Sequence, residues 1–456
     1  MSNEQLAISN EQIASSNDLQ TRQMKDSGVE WIGEIPETWE TVRFKDHYKN
    51  KKEIAGEHSF EFERLALTLN GVIKRPKDDS EGLQPKEFDT YQILRENDFI
   101  FKMIDLQNIS TSRVGLSPYT GLVSPAYIRF TSRKENQFNK FTYYFLMSMY
   151  YNCVFNSLGG DGVRSALNAS DMGTLMIPNP NLATQQKIAA HLDRKCTQID
   201  TLIANQQQQI EKLKAYKQSV ITETVTKGLD PDVAIKDSGY DFIGRIPASW
   251  KICRLRHIGT PQNGLSKGGE FFGTGYPFVS YGDIYKNFTL PETVNGLVET
   301  TETERKQYSV ERGDIFFTRT SETIEEVGFS CVCEKTIPDA TFAGFVIRVR
   351  PYNNDLLTTF AKYYFRSNHH RIYLVKEMNL VTRASLGQGL LKSMPVLIPS
   401  KEEQQQIAEY LDQKCSQIDK LIALKQQKIE KLQQYKKSLI YEYVTGKREV
   451  ELCCQP

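Results

Sequence analysis

The sequence predicts an α+β protein made as a tandem repeat. Two mixed α/β globular domains are each followed by a long helix, and the two helices pair antiparallel as a coiled coil about an approximate two-fold axis. Three observations lead to this. First, Lys25-Asp26-Ser27-Gly28, Ile32-Gly33-Glu34-Ile35-Pro36 and Trp39 return as Lys236-Asp237-Ser238-Gly239, Ile243-Gly244-Arg245-Ile246-Pro247 and Trp250, offset by 211 positions. Second, a longer stretch from Gln186 to Thr226 returns from Gln405 to Thr445, offset by 219, with Cys196-Thr197-Gln198-Ile199-Asp200 matching Cys415-Ser416-Gln417-Ile418-Asp419. Third, that second stretch carries a heptad seam in both copies.

The seam runs Leu192, Cys196, Ile199, Ile203, Gln206, Ile210, Leu213, Lys217 and Val220 in steps of four and three, then Leu411, Cys415, Ile418, Ile422, Lys425, Ile429, Leu432, Lys436 and Leu439. Seven of nine positions are apolar in each, the signature of a sustained coiled-coil face. Gln206 and Lys425 are equivalent and polar; they read either as a register device or as a locally exposed point. Pro178 and Pro399 stand ahead of the helices, Ser400 and Glu403 form a capping box, and Gly228 and Gly446 stand where left-handed closing residues are wanted. Only Leu229-Asp230-Pro231-Asp232 links the first helix to the second domain. So short a connection favours antiparallel neighbours and predicts a rod with one domain at each end.

The domains themselves read as strand-dominated. Asp98 to Phe101 and Asp314 to Phe317 are short apolar runs after turn residues, Val123–Phe130 and Thr341–Val349 are β-rich, and Phe141–Tyr151 and Phe360–Phe365 read as helices. Their shared aromatics, Tyr143-Tyr144-Phe145 and Tyr363-Tyr364-Phe365, are expected in the core. Trp39 and Trp250 are expected as core anchors, and Asp98 and Asp314 as turn residues. The boundaries expected are a polar leader at 1–24, domains at 25–180 and 229–399, helices at 181–228 and 400–449, and a tail at 450–456.

Composition excludes several classes. With 57 Lys+Arg against 56 Asp+Glu the net charge is +1, which is not the footprint of a protein that coats nucleic acid by charge alone. Mean hydropathy is −0.48, and no apolar run approaches the roughly 20 residues a membrane span needs. The N-terminus lacks the basic start and apolar core of a secretory signal. Eight cysteines form no CxxC pair; Cys331/Cys333 and Cys453/Cys454 have no zinc spacing, and Cys196 and Cys415 fall on packed helical positions. A cytoplasmic protein without metal is expected. His369-His370 has no ligand cluster near it in sequence.

The ordered motif set resembles the specificity subunits of type I restriction-modification systems over nearly the whole chain. It comprises Trp31 to Trp39 with its copy Phe242 to Trp250, the Ile177-Pro178 and Ile398-Pro399 pairs, the Gln-Gln-x-Ile-Ala helix starts, the Ile-Asp-x-Leu-Ile blocks, and Glu211-Lys212-Leu213 with Tyr216-Lys217 and their copies at Glu430 and Tyr435. The resemblance implies two target recognition domains, each reading half of a split double-stranded DNA site. It implies helices that act as a spacer and dock two modification methyltransferase subunits. Those partners would use S-adenosylmethionine, and restriction/translocase subunits would use ATP and Mg²⁺. No GxxxxGK[ST] loop and no Asn-Pro-Pro-aromatic tetrapeptide occurs here, which agrees with a non-catalytic subunit.

Base readout needs a few aimed polar side chains. Lys102 follows the first apolar strand and Arg319, one residue further along, follows its counterpart; Arg164 and Arg383 differ by 219 and precede the helices. Thr68, Asn70, Lys74 and Arg75 flank Gly71 in the first domain, and Tyr276, Ser280, Tyr281, Asp283 and Lys286 occupy the comparable stretch of the second. These thirteen are the expected DNA-contacting residues. The alternatives are a coiled-coil adaptor with two binding domains and no DNA target, a catalytic activity hidden in one domain, or a specificity subunit serving a fused nuclease-methylase.

Overall fold

The computed structural model describes residues 22–69, 71–78, 87–106, 113–134, 137–158, 166–321, 327–377 and 384–450. They form two compact units. One combines the chain up to residue 205 with the segment from 428 onward; the other is 206–427. Each unit therefore holds one globular domain and stretches of both long helices, which span Leu182–Lys227 and Lys401–Val444.

In the first unit the hairpin Met24–Asp26/Glu34–Pro36 opens the domain. Its loop is tied by Asp26 and Ser27 side chains accepting from the Gly28 and Val29 N–H groups. The second unit repeats this bond for bond, with Asp237 and Ser238 accepting from Gly239 and Tyr240. The strand Glu40–Arg43 then pairs antiparallel with Met176–Asn179, which leads into the first long helix. Lys251–Arg254 pairs in the same way with Pro395–Ile398, ahead of the second. Each domain is thus closed between its first and last strands.

Between those strands lies one four-stranded antiparallel sheet per domain. Its order is Tyr48–Asn50, Ile128–Ser132, Phe99–Phe101, Val114–Leu116 in the first, and Gly259–Asn263, Val346–Pro351, Ile315–Thr318, Ser330–Val332 in the second. A second sheet in the first domain orders Gly71–Arg75, Arg64–Thr68, Gly121–Val123 and Gln92–Leu94, with a parallel contact between the middle two. Its counterpart has three strands, Gly296–Val298, Phe272–Val279 and Thr341–Phe342, and where a fourth would lie there is a single bridge between Val310 and Ile337. The β-rich runs expected at Val123–Phe130 and Thr341–Val349 are each broken by a turn, at Pro125-Ala126 and Gly344-Phe345. Pro125 has no N–H to give a ladder, and Gly344 sits too close to Ser266 to carry a side chain.

The aromatic helices are present at Lys140–Tyr151 and Thr358–Tyr364, and Tyr144, Phe145, Tyr363, Tyr364 and Phe365 are core residues, as are Trp39 and Trp250. All eighteen seam positions are buried or half-buried. Cys196 and Ile199 join the first unit's core together with Leu439, Ile440, Tyr443 and Val444 from the end of the second helix. Ile221 and Val225, from the end of the first helix, join the second unit's core with Leu411 and Cys415. The helices run antiparallel inside each unit: Lys436 meets Asp200 in one, Lys217 meets Asp419 in the other.

Helix ends follow the sequence. Ser400 Oγ accepts from Glu403 N, and Asn181 caps the first helix by accepting from Thr184 N. Gly228 and Gly446 close the helices at φ +77° and +72°, a conformation that penalises any side chain. Lys425 donates to Gln206 and Gln209, so these polar seam positions satisfy one another rather than fray.

Candidate nucleic-acid interface

In the first unit the hairpin Arg64–Thr68/Gly71–Arg75 places three expected residues on one element. Thr68 Oγ1 donates to Gly71 O at 2.9 Å and braces the turn. Lys74 is exposed, paired with Glu63 at 2.6 Å and held over the Tyr119 ring; that carboxylate pushes its ammonium pKa up. Arg75 is half-buried on the same strand. Lys102 is half-buried at the end of Phe99–Phe101, in the other sheet. Asn70, Arg164 and Arg383 lie outside the described residues.

In the second unit Tyr276 is exposed on Phe272–Val279, and the Arg305 guanidinium lies over its ring at 3.8 Å. Arg305 also reaches Asp339 and the Thr300 carbonyl. Ser280 and Asp283 cap the short helix Tyr281–Lys286 reciprocally, each side chain accepting from the other's backbone N–H. Ser280 Oγ and Asp283 Oδ2 are the atoms engaged in that cap, and Ser280 Oγ also donates to Asp283 Oδ2 at 2.7 Å. Tyr281 stacks on Tyr285, with ring centroids 6.1 Å apart, and Lys286 is exposed in the last turn.

Backbone hydrogen bonds place Arg319 one residue further along its strand than Lys102, as the alignment of Asp98 to Phe101 with Asp314 to Phe317 has it. Lys102 N donates to Arg113 O as Thr318 N donates to Phe329 O, while Met103 O accepts from Leu167 N as Arg319 O accepts from Leu386 N. Lys102 therefore corresponds to Thr318, and Arg319 to the buried Met103. Each domain thus carries a cation at this edge, one residue apart along the strand.

Three arginines, Arg129 buried and Arg350 and Arg366 half-buried, hold the domains together from within. Arg129 Nε donates to Asp98 Oδ2 at 2.6 Å, and Arg350 holds Asp314 through two bonds of 2.7 Å. The aspartates expected only to finish turns thus also neutralise a cation in each sheet. Their signal was an Arg inside an apolar strand, which is rarely buried unless paired. Beside the first pair, Arg95 and then Arg129 hold the Glu53 carboxyl down at about 2. The third, Arg366, has no equivalent in the first domain, where Met147 stands 219 positions earlier. It donates to the Ser330, Ile284, Tyr285 and Asn287 carbonyls, fastening the C-terminal end of the helix that carries Tyr281 and Lys286. Burial lowers its pKa to about 10.

His369 and His370 are buried around Ser367 Oγ at 2.9 and 3.0 Å. Among the described residues no group of His, Cys, Asp and Glu could hold a metal, and no helix is long and apolar enough to cross a membrane.

Two repeated α/β frames, each with the same opening hairpin, closing strand pair and long helix, define a tandem-repeat protein. The chain matches the type I restriction modification DNA specificity domain twice, over residues 36–212 and 247–434, and it belongs to that family. It is 25% identical to the EcoKI specificity subunit of Escherichia coli K12 over 60% of this chain and 58% of that one. It is 24% identical to the MjaVIII specificity subunit of Methanocaldococcus jannaschii over 91% and 94%. A solved structure described as the basis of complex assembly and conformational transition of the type I R-M system shares the fold, with a TM-score of 0.66 at 15% identity, covering 91% of this chain and 99% of that chain.

Proposed function

We propose that this chain is the sequence-reading subunit of a type I restriction-modification complex, that each domain reads one half of a split duplex target, and that the long helices fix the unread interval between the halves. The observation that carries this reading is the contrast within each domain. Hairpin loops and closing strands repeat bond for bond, whereas the edges bearing Lys74 and Arg75 or Tyr276 and Arg319 do not. A repeated frame suits the backbone dyad of duplex DNA, and divergent edges suit two unlike half-sites.

The helices support docking of a duplicated partner. Leu202 and Tyr435 are exposed in one unit, and their equivalents Leu421 and Tyr216 in the other. Apolar side chains off the seam, in the same place twice, fit two copies of one protein. These would be modification methyltransferase subunits carrying S-adenosylmethionine, joined by restriction/translocase subunits using ATP and Mg²⁺. With a net charge of +1, much of the grip on phosphates falls to those partners.

The test is single-molecule methylome sequencing of a host expressing this chain with its modification subunit. A two-part motif with a gap of fixed length, present only with this chain, is expected. A continuous motif, or methylation independent of the chain, overturns the proposal.

A further inference from the structure

We propose that Phe345 is a base-reading residue of the second domain, its ring meeting the 5-methyl group of a thymine in that domain's half-site. The inference rests on the DNA-reading function above and names one contact within it.

Phe345 is 64% exposed, while Phe342 and Val346 beside it are fully buried. A phenyl ring left in water forfeits the burial that its neighbours gain, and one exposed ring is unremarkable by itself. Here, however, the backbone is fixed from every side. Val346 N donates to Ala343 O at 3.0 Å, Arg319 N to Phe345 O at 2.8 Å, Gly264 N to Val346 O at 3.1 Å, and Leu265 N to Phe342 O at 2.8 Å. Arg319 Nη1 adds a bond to Gly344 O at 3.3 Å. A Cβ on Gly344 would strike Ser266 Oγ, and one on Gly264 would strike the Ala343 and Phe342 carbonyls. The turn cannot swing inward, so the ring is held outward on a rigid support.

The first domain supplies the comparison. Its turn has the same bond, Tyr127 N to Ser124 O at 3.2 Å, and leads into the same strand of the same sheet. The residue at the tip is Ala126, also exposed. One frame therefore presents a methyl group where the other presents a phenyl ring, and the cation beside it, Arg319, replaces the buried Met103. The two turns keep the bond but not the residues: Ser124, Pro125, Ala126 and Tyr127 stand where Ala343, Gly344, Phe345 and Val346 do, and Met103 where Arg319 does. That is where two domains reading different bases must differ. A phenyl ring offers no hydrogen bond, so what it discriminates is the apolar feature of a base edge, the thymine methyl in the major groove. Beside it Arg319 adds a guanidinium, a group of up to five donors, which among the described residues bonds Gly344 O.

The experiment uses the complex of this chain with its modification subunit, wild type and Phe345→Ala, on duplexes carrying the methylome-derived motif. Each thymine of the second half-site, on either strand, is replaced singly by deoxyuridine. At one position the wild-type methylation rate should fall about fourfold, the worth of one buried methyl group. Phe345→Ala should methylate thymine and deoxyuridine duplexes alike at that position, with first-half-site preference intact as the check on folding. No deoxyuridine effect in the wild type, an equal effect in both proteins, or a second half-site without an A·T pair overturns the proposal. A wild-type motif with only one half would instead defeat the two-domain reading, whatever Phe345 does.

Discussion

Lys217 Nζ lies 2.8 and 2.7 Å from the two carboxylate oxygens of Asp419. The relation recurs 219 positions away, where Lys436 Nζ holds both oxygens of Asp200 at 2.7 Å. Lysines that interrupt an apolar seam thus become cross-helix clasps, one per unit. A heptad slip would break both, so they specify register more than they add stability.

Lys217→Ala and Lys436→Ala should each cost about 0.5–1 kcal/mol, the range of a partly exposed ion pair. The pairs share no partner, so the double variant should be additive to within about 0.5 kcal/mol. Urea unfolding checks this; a larger coupling term contradicts two independent clasps.

Seven residues inserted at matching seam positions of both helices lengthen each by about 10 Å, roughly three base pairs of duplex. The gap in the methylated motif should grow by that amount, with both half-sites unchanged. An unaltered gap would remove the helices from the role of spacer.

The two closing glycines should differ in tolerance. Both have positive φ, which costs alanine about 1 kcal/mol. A Cβ at Gly446 would also meet Pro36 Cδ at 2.5 Å and the Trp39 ring at 3.0 Å, whereas at Gly228 it meets the flexible Glu403 carboxylate at 3.0 Å and Trp250 at 3.5 Å. Thermal unfolding should show Gly446→Ala losing at least about 1 kcal/mol more than Gly228→Ala.

Arg366→Ala strands four carbonyl acceptors in the second domain and should cost about 3 kcal/mol or more. Methylation of DNA altered in the second half-site should change in pattern, since the Tyr281–Lys286 helix loses its fastening. An unchanged pattern at reduced stability would confine Arg366 to support of the core.

The buried histidine pair gives a pH signature. Burial lowers the His369 pKa to about 3, and holds that of His370, next to it, well below its ordinary value. Unfolded imidazoles take up protons below about pH 6.5 and the folded ones resist. Stability is therefore complete above that pH and is lost as pH falls from about 6.5 toward 3, by of order 1 kcal/mol per histidine per pH unit. His369→Gln/His370→Gln should flatten the slope of unfolding free energy between pH 6.5 and 4.5; an unchanged slope would place the proton uptake elsewhere.

The repeat, the seam and the closing glycines were legible because each is a local rule of spacing. Leu192 to Val220 needs only a count of threes and fours. The one-residue offset of Arg319 from Lys102 was legible too, because Asp98 to Phe101 aligns with Asp314 to Phe317; the neighbours each side chain meets were not, since they come from distant strands. Asp98 and Arg129, or Asp314 and Arg350, meet only once distant strands pair. The cap formed by Ser280 and Asp283 is hidden in the sequence because a capping box uses the same polar types as a DNA contact. Phe345 passed as an ordinary strand residue, since nothing in Ala-Gly-Phe-Val says which side of the turn faces water.

The first unit's core includes Leu439, Ile440, Tyr443 and Val444, whereas the second unit is one unbroken run of chain, 206–427. Synthesis proceeds from the N-terminus, so the domain translated first is completed last. It waits with an open flank while the later domain closes on its own helix segments, and a ribosome stalled near residue 430 would release a protein whose second domain is whole and whose first is not.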